Sequence, residues 1–162
     1  MRPRLGMLLF LALMVSVGMW AQNDPLIGTW KMNVAKSKYS PGPAPKSGTT
    51  KISAVPGGIR LVANGVNADG KATVGQYTAK FDGKDYPIKA TVAGKPNPNA
   101  ADAESVKKID EHTYEVTAKR KGEVLNVTRW VISADGKTRT NTVTGKNAEG
   151  QTVDNTTVFE KQ

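Results

Sequence analysis

Few side chains in this sequence are of the types that perform covalent or acid–base chemistry, and their spacing does not gather them. The single histidine, His112, follows Asp110 and Glu111 in a stretch that reads as a hairpin turn, where an imidazole is ordinarily just solvated. One histidine and no cysteine leave nothing from which to build a zinc or copper site with imidazole or thiolate ligands. Asp82-Gly83-Lys84-Asp85 has the acid spacing of a short calcium loop but puts a lysine where an oxygen ligand is needed. Ser37, Ser40, Ser47, Ser53, Ser105 and Ser133 are scattered, and none sits in a nucleophile-elbow pattern. A pair of carboxylates brought together from distant strands stays open, because such a pair leaves no local signature. Asn126-Val127-Thr128 and Asn155-Thr156-Thr157 match the glycosylation pattern but fall inside extended runs and are discounted. The expectation is therefore no catalytic residue, no metal and no cofactor.

Two other groups of side chains point to binding. Tyr77, Phe81, Tyr114 and Trp130 lie at strand-like spacing and are the candidate wall of a ligand cavity, or else plain core. The cations form a second group. Lys107-Lys108 and Lys119-Arg120-Lys121 fall at hairpin ends, and Lys36, Lys38 and Lys46 flank a proline-rich stretch. Gathered on one rim, they would attract an anionic surface. No stacking aromatics accompany them, so a nucleic-acid partner is not expected. The alternative is a solubilising surface that also guards strand edges.

Such residues can act only where the chain places them. Residues 1–21 have the parts of a secretory signal: Arg2 and Arg4, an apolar run from Leu8 to Val17, and Ala21 at the expected cut. That run is shorter than the about 20 residues a spanning helix needs. The net charge of +9 falls to +7 when Arg2 and Arg4 leave with the signal. The remaining 22–162 read as one domain, exported to the periplasm or the medium, with no stable membrane insertion. It lacks the disulfides that small exported domains often use, so its core must hold alone.

Within that domain, short alternating runs are separated by turn signals such as Val55-Pro56-Gly57-Gly58, Asn67-Ala68-Asp69-Gly70, Lys121-Gly122 and Ala134-Asp135-Gly136-Lys137. The pattern predicts ten antiparallel strands, at about 26–34, 48–55, 58–65, 71–81, 86–92, 103–109, 112–119, 123–132, 137–145 and 151–160. Ile59, Leu61 and Ala63 face one way and Arg60, Val62 and Asn64 the other. In 123–132 both faces are apolar, which suggests cover on both sides, with the N-terminal segment as one candidate. Thr138, Thr140 and Thr142 on one face, and Asn155 and Thr157 on another, are candidates for a wet interior. Residues 35–48, with Pro41-Gly42-Pro43-Ala44-Pro45, read as a surface strap, and 93–102, with Pro96 and Pro98, as a second long loop. Ala-Asp-Gly-Lys occurs at 68–71 and at 134–137, which reads as the same favourable turn used twice.

Asp24-Pro25-Leu26-Ile27-Gly28-Thr29-Trp30-Lys31, ahead of a run of antiparallel strands ending in Val158-Phe159-Glu160-Lys161, resembles the calycin superfamily of lipocalins and fatty-acid-binding proteins. The resemblance implies that Gly28 lets the first strand bend and that Trp30 seals the closed end of a barrel. The opening, with Lys36-Ser37-Lys38-Tyr39-Ser40-Pro41-Gly42-Pro43, is also similar to small exported bacterial proteins of unassigned function. The sequence departs from the fatty-acid-binding pattern in two places. The proline-rich 41–45 cannot form the helical portal lid. Thr157 and Phe159 stand where the Arg and Tyr of a carboxylate clamp are expected.

The reading is all-β: an antiparallel meander closed into an 8–10-stranded calycin-like barrel. It would be a monomer that binds a small, partly apolar molecule and is not an enzyme. The rival is a non-enzymatic structural or interaction module that meets an anionic surface through its lysines.

Overall fold

The computed structural model describes residues 24–147 and 150–162. The export signal read at 1–21 lies outside the described residues. The chain forms β1 (Gly28–Lys38), β2 (Ser47–Val55), β3 (Gly58–Val66), β4 (Ala72–Lys80), β5 (Tyr86–Pro87), β6 (Lys89–Val92), β7 (Lys95–Pro96), β8 (Ala103–Lys108), β9 (Thr113–Arg120), β10 (Glu123–Ile132), β11 (Thr138–Lys146) and β12 (Thr152–Lys161). All pairings are antiparallel, in one 12-stranded sheet of order β5-β8-β9-β10-β11-β12-β1-β2-β3-β4-β6-β7. It curls through 318° into an open half-barrel.

The turns follow from residue type. Lys121 and Gly122 both adopt positive φ, 54° and 83°, the pair a two-residue hairpin of matching twist demands. The repeated Ala-Asp-Gly-Lys makes the same turn twice. Gly70 N–H donates to Asn67 O and Gly136 N–H to Ser133 O, and each first residue also accepts from the chain beyond through its side chain. Alternation then sorts the strands. In β3, Ile59 and Leu61 are buried while Arg60 is exposed, and in β9 Tyr114, Val116 and Ala118 point inward.

Several expectations need correction. The barrel is not closed, and it has 12 strands rather than 8–10. The reason lies in residues 86–92, expected as one strand. This segment pairs with β8 at Tyr86 and Pro87, then with β4 from Lys89 to Val92. Ile88 N–H is committed to Asp102 O, and Pro87 has no N–H to give. The segment therefore passes from one edge to the other without laddering to both. Near this seam an isolated bridge, Asp82↔Lys107, and a bond from Gly83 N–H to Val106 O tie the two edges. Short proline-bearing edges suit such a place.

The strap is also shorter than expected. β1 continues to Lys38, beyond a register shift between Asn33 and Lys38, and β2 starts at Ser47. The expected 93–102 loop contains a tight turn at Ala93-Gly94 and the edge strand β7. Finally, the outer face of β10 is largely open to solvent: Val131 is 42% exposed and Val124 57%. A register shift between Val124 and Asn126 separates Val124 from the inward phase of Trp130 and Ile132.

One end of the half-barrel is plugged by Asp24–Ile27. Leu26 and Trp30 are wholly buried, and Trp30 Nε1 donates to Leu26 O at 2.8 Å. Asp24 accepts from Leu26 N–H, from the Tyr114 hydroxyl and from Lys108. Lys161 reaches from the last strand over the Trp30 ring, 5.1 Å from its centre, to donate to Pro25 O. Gly28 has φ of +145°, and a Cβ there would stand 2.7 Å from Lys161 Cε. Trp30 thus connects the plug to the sheet. Trp30→Ala should cost about 3–5 kcal/mol, as truncations of core aromatics do. Urea denaturation measures it, and a loss below about 1 kcal/mol would remove Trp30 from this role.

Candidate functional site

The interior is packed at the plugged end and spacious at the other. The inward positions explain why. Toward the plug β2, β3 and β4 contribute Ile52, Ile59, Leu61, Tyr77 and Ala79. Away from it the same inward phase is occupied by Gly48, Ala63, Gly65 and Gly75. These are paired neighbours, Gly48 with Gly65 and Ala63 with Gly75. A Cβ built on Gly75 would meet nothing within 4 Å. The result is a cavity of about 390 Å³ that reaches strap residues Tyr39 and Pro45. That is the size of a small-molecule site.

Its apolar wall comes from Met32, Leu61, Ile88, Val116, Trp130 and Phe159. Its polar groups are unusual for their lack of partners. Arg139 on β11 is 1% exposed, yet its Nε and Nη1 make no hydrogen bond and no carboxylate pairs with it among the described residues. Three rings hold it. The guanidinium carbon lies 4.4 Å from the Phe159 ring centre, 5.1 Å from that of Trp130 and 5.3 Å from that of Trp30. Register produces this, since Arg139 pairs with Ile132 on β10 and with Phe159 on β12. Burial pushes its pKa down to about 9, so it remains a cation at neutral pH. Asn141 Oδ1 is likewise buried without a partner, and the buried Tyr77 Oη faces the Glu104 carboxyl. Burial, followed by the nearby charge of Glu104, holds the Tyr77 hydroxyl well above its usual range. It stays neutral and able to donate.

Glu104 on β8 is the one carboxyl and Arg139 the one cation among the described lining residues. Burial pushes Glu104 up to about 7, against an opposing hydrogen bond from the Tyr77 hydroxyl. A facing pair of carboxylates, the geometry of glycoside cleavage, is therefore not present in this cavity. His112 sits at the far end of a hairpin, its N–H on Asp110 and its carbonyl accepting from Ile132 N–H, away from the cavity lining. Among the described residues, no group of three or more His, Asp or Glu could hold a metal.

Of the four residues read as a ligand wall, Tyr77 and Trp130 line the cavity. Phe81 and Tyr114 do not. They pack on each other at the plugged end, ring centres 5.5 Å apart, with Lys108 above Tyr114. Gly28 and Trp30 lie in and under the floor. Thr157 lines the cavity and shares a hydrogen bond with Tyr39 Oη at 3.0 Å. Asn155 instead accepts from Ser40 N–H and fastens the strap.

The reading of β11 is reversed. Thr138, Thr140 and Thr142 take the outer face, while Arg139 and Asn141 point inward. The missed signal was pairing: Trp130 and Ile132 are inward on β10, and their partners Asn141 and Arg139 must share that face. Glu104 was missed for the same reason, being two residues before the wholly buried Val106. The expected basic rim is in part neutralised. Lys36 pairs with Glu160, Lys108 with Asp24 and Lys119 with Asp85.

No family model, no curated protein and no solved structure matches the chain.

Glu104 carries a pH signature. Its folded pKa of about 7 exceeds the ordinary 4.5, so the folded state holds the proton more tightly. The associated stability is fully present below about pH 4.5 and is lost as pH rises through 7. Between pH 5 and 8 the protein should lose on the order of 2 kcal/mol, after allowance for partial exposure. Glu104→Gln should show no such slope over that range. Urea midpoints measured across it decide the matter, and parallel curves for the two proteins would refute the assignment.

Proposed function

We propose that the protein is an exported, calycin-type binding protein that carries a small, partly apolar molecule inside the half-barrel. The observation that supports this most directly is the cavity of about 390 Å³, whose apolar wall surrounds buried polar atoms without partners. A site built to hold itself together satisfies its buried polar groups internally. A site built for a ligand leaves some of them for the ligand. The signal-like residues 1–21 support export, and Gly28-Thr29-Trp30 beneath the floor supports the calycin resemblance.

Binding would be driven by burial of the ligand's apolar part against Trp130, Phe159 and Met32. Orientation would come from the polar groups on β4 and β11. The strap supplies one side of the site: Tyr39 lines the cavity and is held by its hydroxyl to Met32 Sδ and Thr157 Oγ1. The rival, an anionic-surface module, is weakened by the three lysines that already have acidic partners.

Two measurements test the reading. Native mass spectrometry of protein purified from its own source should show a co-purifying small molecule. Gly75→Leu would place a side chain where a Cβ now meets nothing. It should weaken binding of Nile red by about 10-fold or more while leaving the urea midpoint unchanged or raised. Undiminished dye binding by a folded Gly75→Leu protein would place the ligand elsewhere.

A further inference from the structure

We infer that the ligand is a monoanion, an aromatic or similarly apolar carboxylate, whose head group pairs with Arg139 beside the Tyr77 hydroxyl. The inference rests on the binding reading above and names its ligand class.

Arg139 is a complete charge with no opposite charge beside it. Its side chain is 1% exposed, two of its nitrogens have no acceptor, and it lines the cavity. A buried cation left in this state is destabilising, and proteins retain one only where something else compensates. The faces of Trp30, Trp130 and Phe159 compensate in part, since each ring attracts a cation over its face. Rings attract the guanidinium's faces and leave its N–H groups unsatisfied. Those N–H groups require acceptors, and a planar carboxylate suits them better than any neutral group.

The ring contacts also fix the position of the head group. Held between three aromatics, Arg139 cannot swing out to meet an ion in solvent, so the anion must come to it. Tyr77 Oη, which faces the Glu104 carboxyl, is a second buried donor on the same cavity, free to turn to a ligand when Glu104 is protonated. The charge inventory limits the ligand to a single negative charge. Among the described lining residues Arg139 is the one cation, and Glu104 is an acid that a second negative charge would face. A phosphate monoester would bring excess charge into this enclosure, whereas a carboxylate matches it. The apolar wall then takes the rest of the molecule.

A matched pair of probes separates this inference from the reading beneath it. Naphthoate and naphthylmethanol have nearly the same shape and differ in charge. Isothermal titration of the full folded domain at pH 6, where Glu104 is mostly neutral and the probe's carboxylate is ionised, should find naphthoate bound about 10-fold or more tighter than the alcohol. In Arg139→Gln the preference should fall to within about 2-fold while alcohol binding persists. Tyr77→Phe, a smaller change, should lower naphthoate affinity about 3-fold to 10-fold and leave the alcohol alone. Equal binding of both probes to the unaltered protein would overturn the anion inference and leave the cavity reading standing. Failure of both probes to bind would overturn the two together. If Arg139→Gln does not fold, the comparison on the unaltered protein and on Tyr77→Phe still decides.

Discussion

The architecture turns on one buried guanidinium and the three rings around it. Trp30 comes from β1, Trp130 from β10 and Phe159 from β12, and Arg139 of β11 meets all three within 5.3 Å. The group therefore joins four strands across the interior in addition to their edge-to-edge ladders. It also divides the interior. On the plug side of Arg139 lies the Trp30 floor, packed by Leu26 and bound to it through the indole N–H. On the other side lies the cavity. A hydrocarbon at position 139 would pack the same rings without the desolvation cost of a charge. Packing alone therefore does not account for the arginine, which borders the cavity with two of its nitrogens unpartnered.

The space itself is a consequence of side-chain size along three strands. β2, β3 and β4 each carry large inward residues toward the plug and glycine or alanine away from it. Because Gly48 pairs with Gly65 and Ala63 with Gly75, the small positions coincide. Had the strands been offset by two residues, Leu61 or Tyr77 would lie opposite the small positions and occupy that volume. A protein without disulfides concentrates its packing where it can: Leu26, Trp30, Ile52, Ile59 and Ile132 pack the floor, and the same core cluster continues up the wall as Leu61, Trp130 and Phe159. The seam belongs to the same economy. A strand that changes partners at Ile88 leaves the sheet open there, and Ile88 itself lines the cavity.

Much of the fold was legible because turn chemistry and period-2 alternation are local. Ile59 and Leu61 against Arg60, or Lys121-Gly122 between two extended runs, declare themselves without reference to the rest of the chain. What depended on partners was not legible. Residues 86–92 look like one strand, and only the positions of β4 and β8 divide them. The phase of β11 was ambiguous for a related reason. Alternating Thr, Arg, Thr, Asn and Thr offers no hydrophobic face, and the ordinary expectation turns an arginine outward. Only the register against Trp130 and Ile132 decides otherwise. Phe81 and Tyr114 failed as wall residues because alternation gives the face but not the height along the barrel. Both face inward, at the level of the plug.

On the last strand, where a carboxylate clamp would carry its charge, stand Thr157 and Phe159. In the folded chain these two positions still border the relevant place. Phe159 supports the guanidinium, Thr157 joins the strap through Tyr39, and the positive charge arrives from the neighbouring strand at the position paired with Phe159. A sheet makes this substitution easy, because residues opposite one another on adjacent strands present side chains to the same few ångströms of interior. A motif search follows the order of residues along the chain, whereas electrostatic recognition depends only on where the charge ends up. The absence of a motif at 157 and 159 therefore said little about the interior, and the guanidinium at 139 is what determines its chemistry.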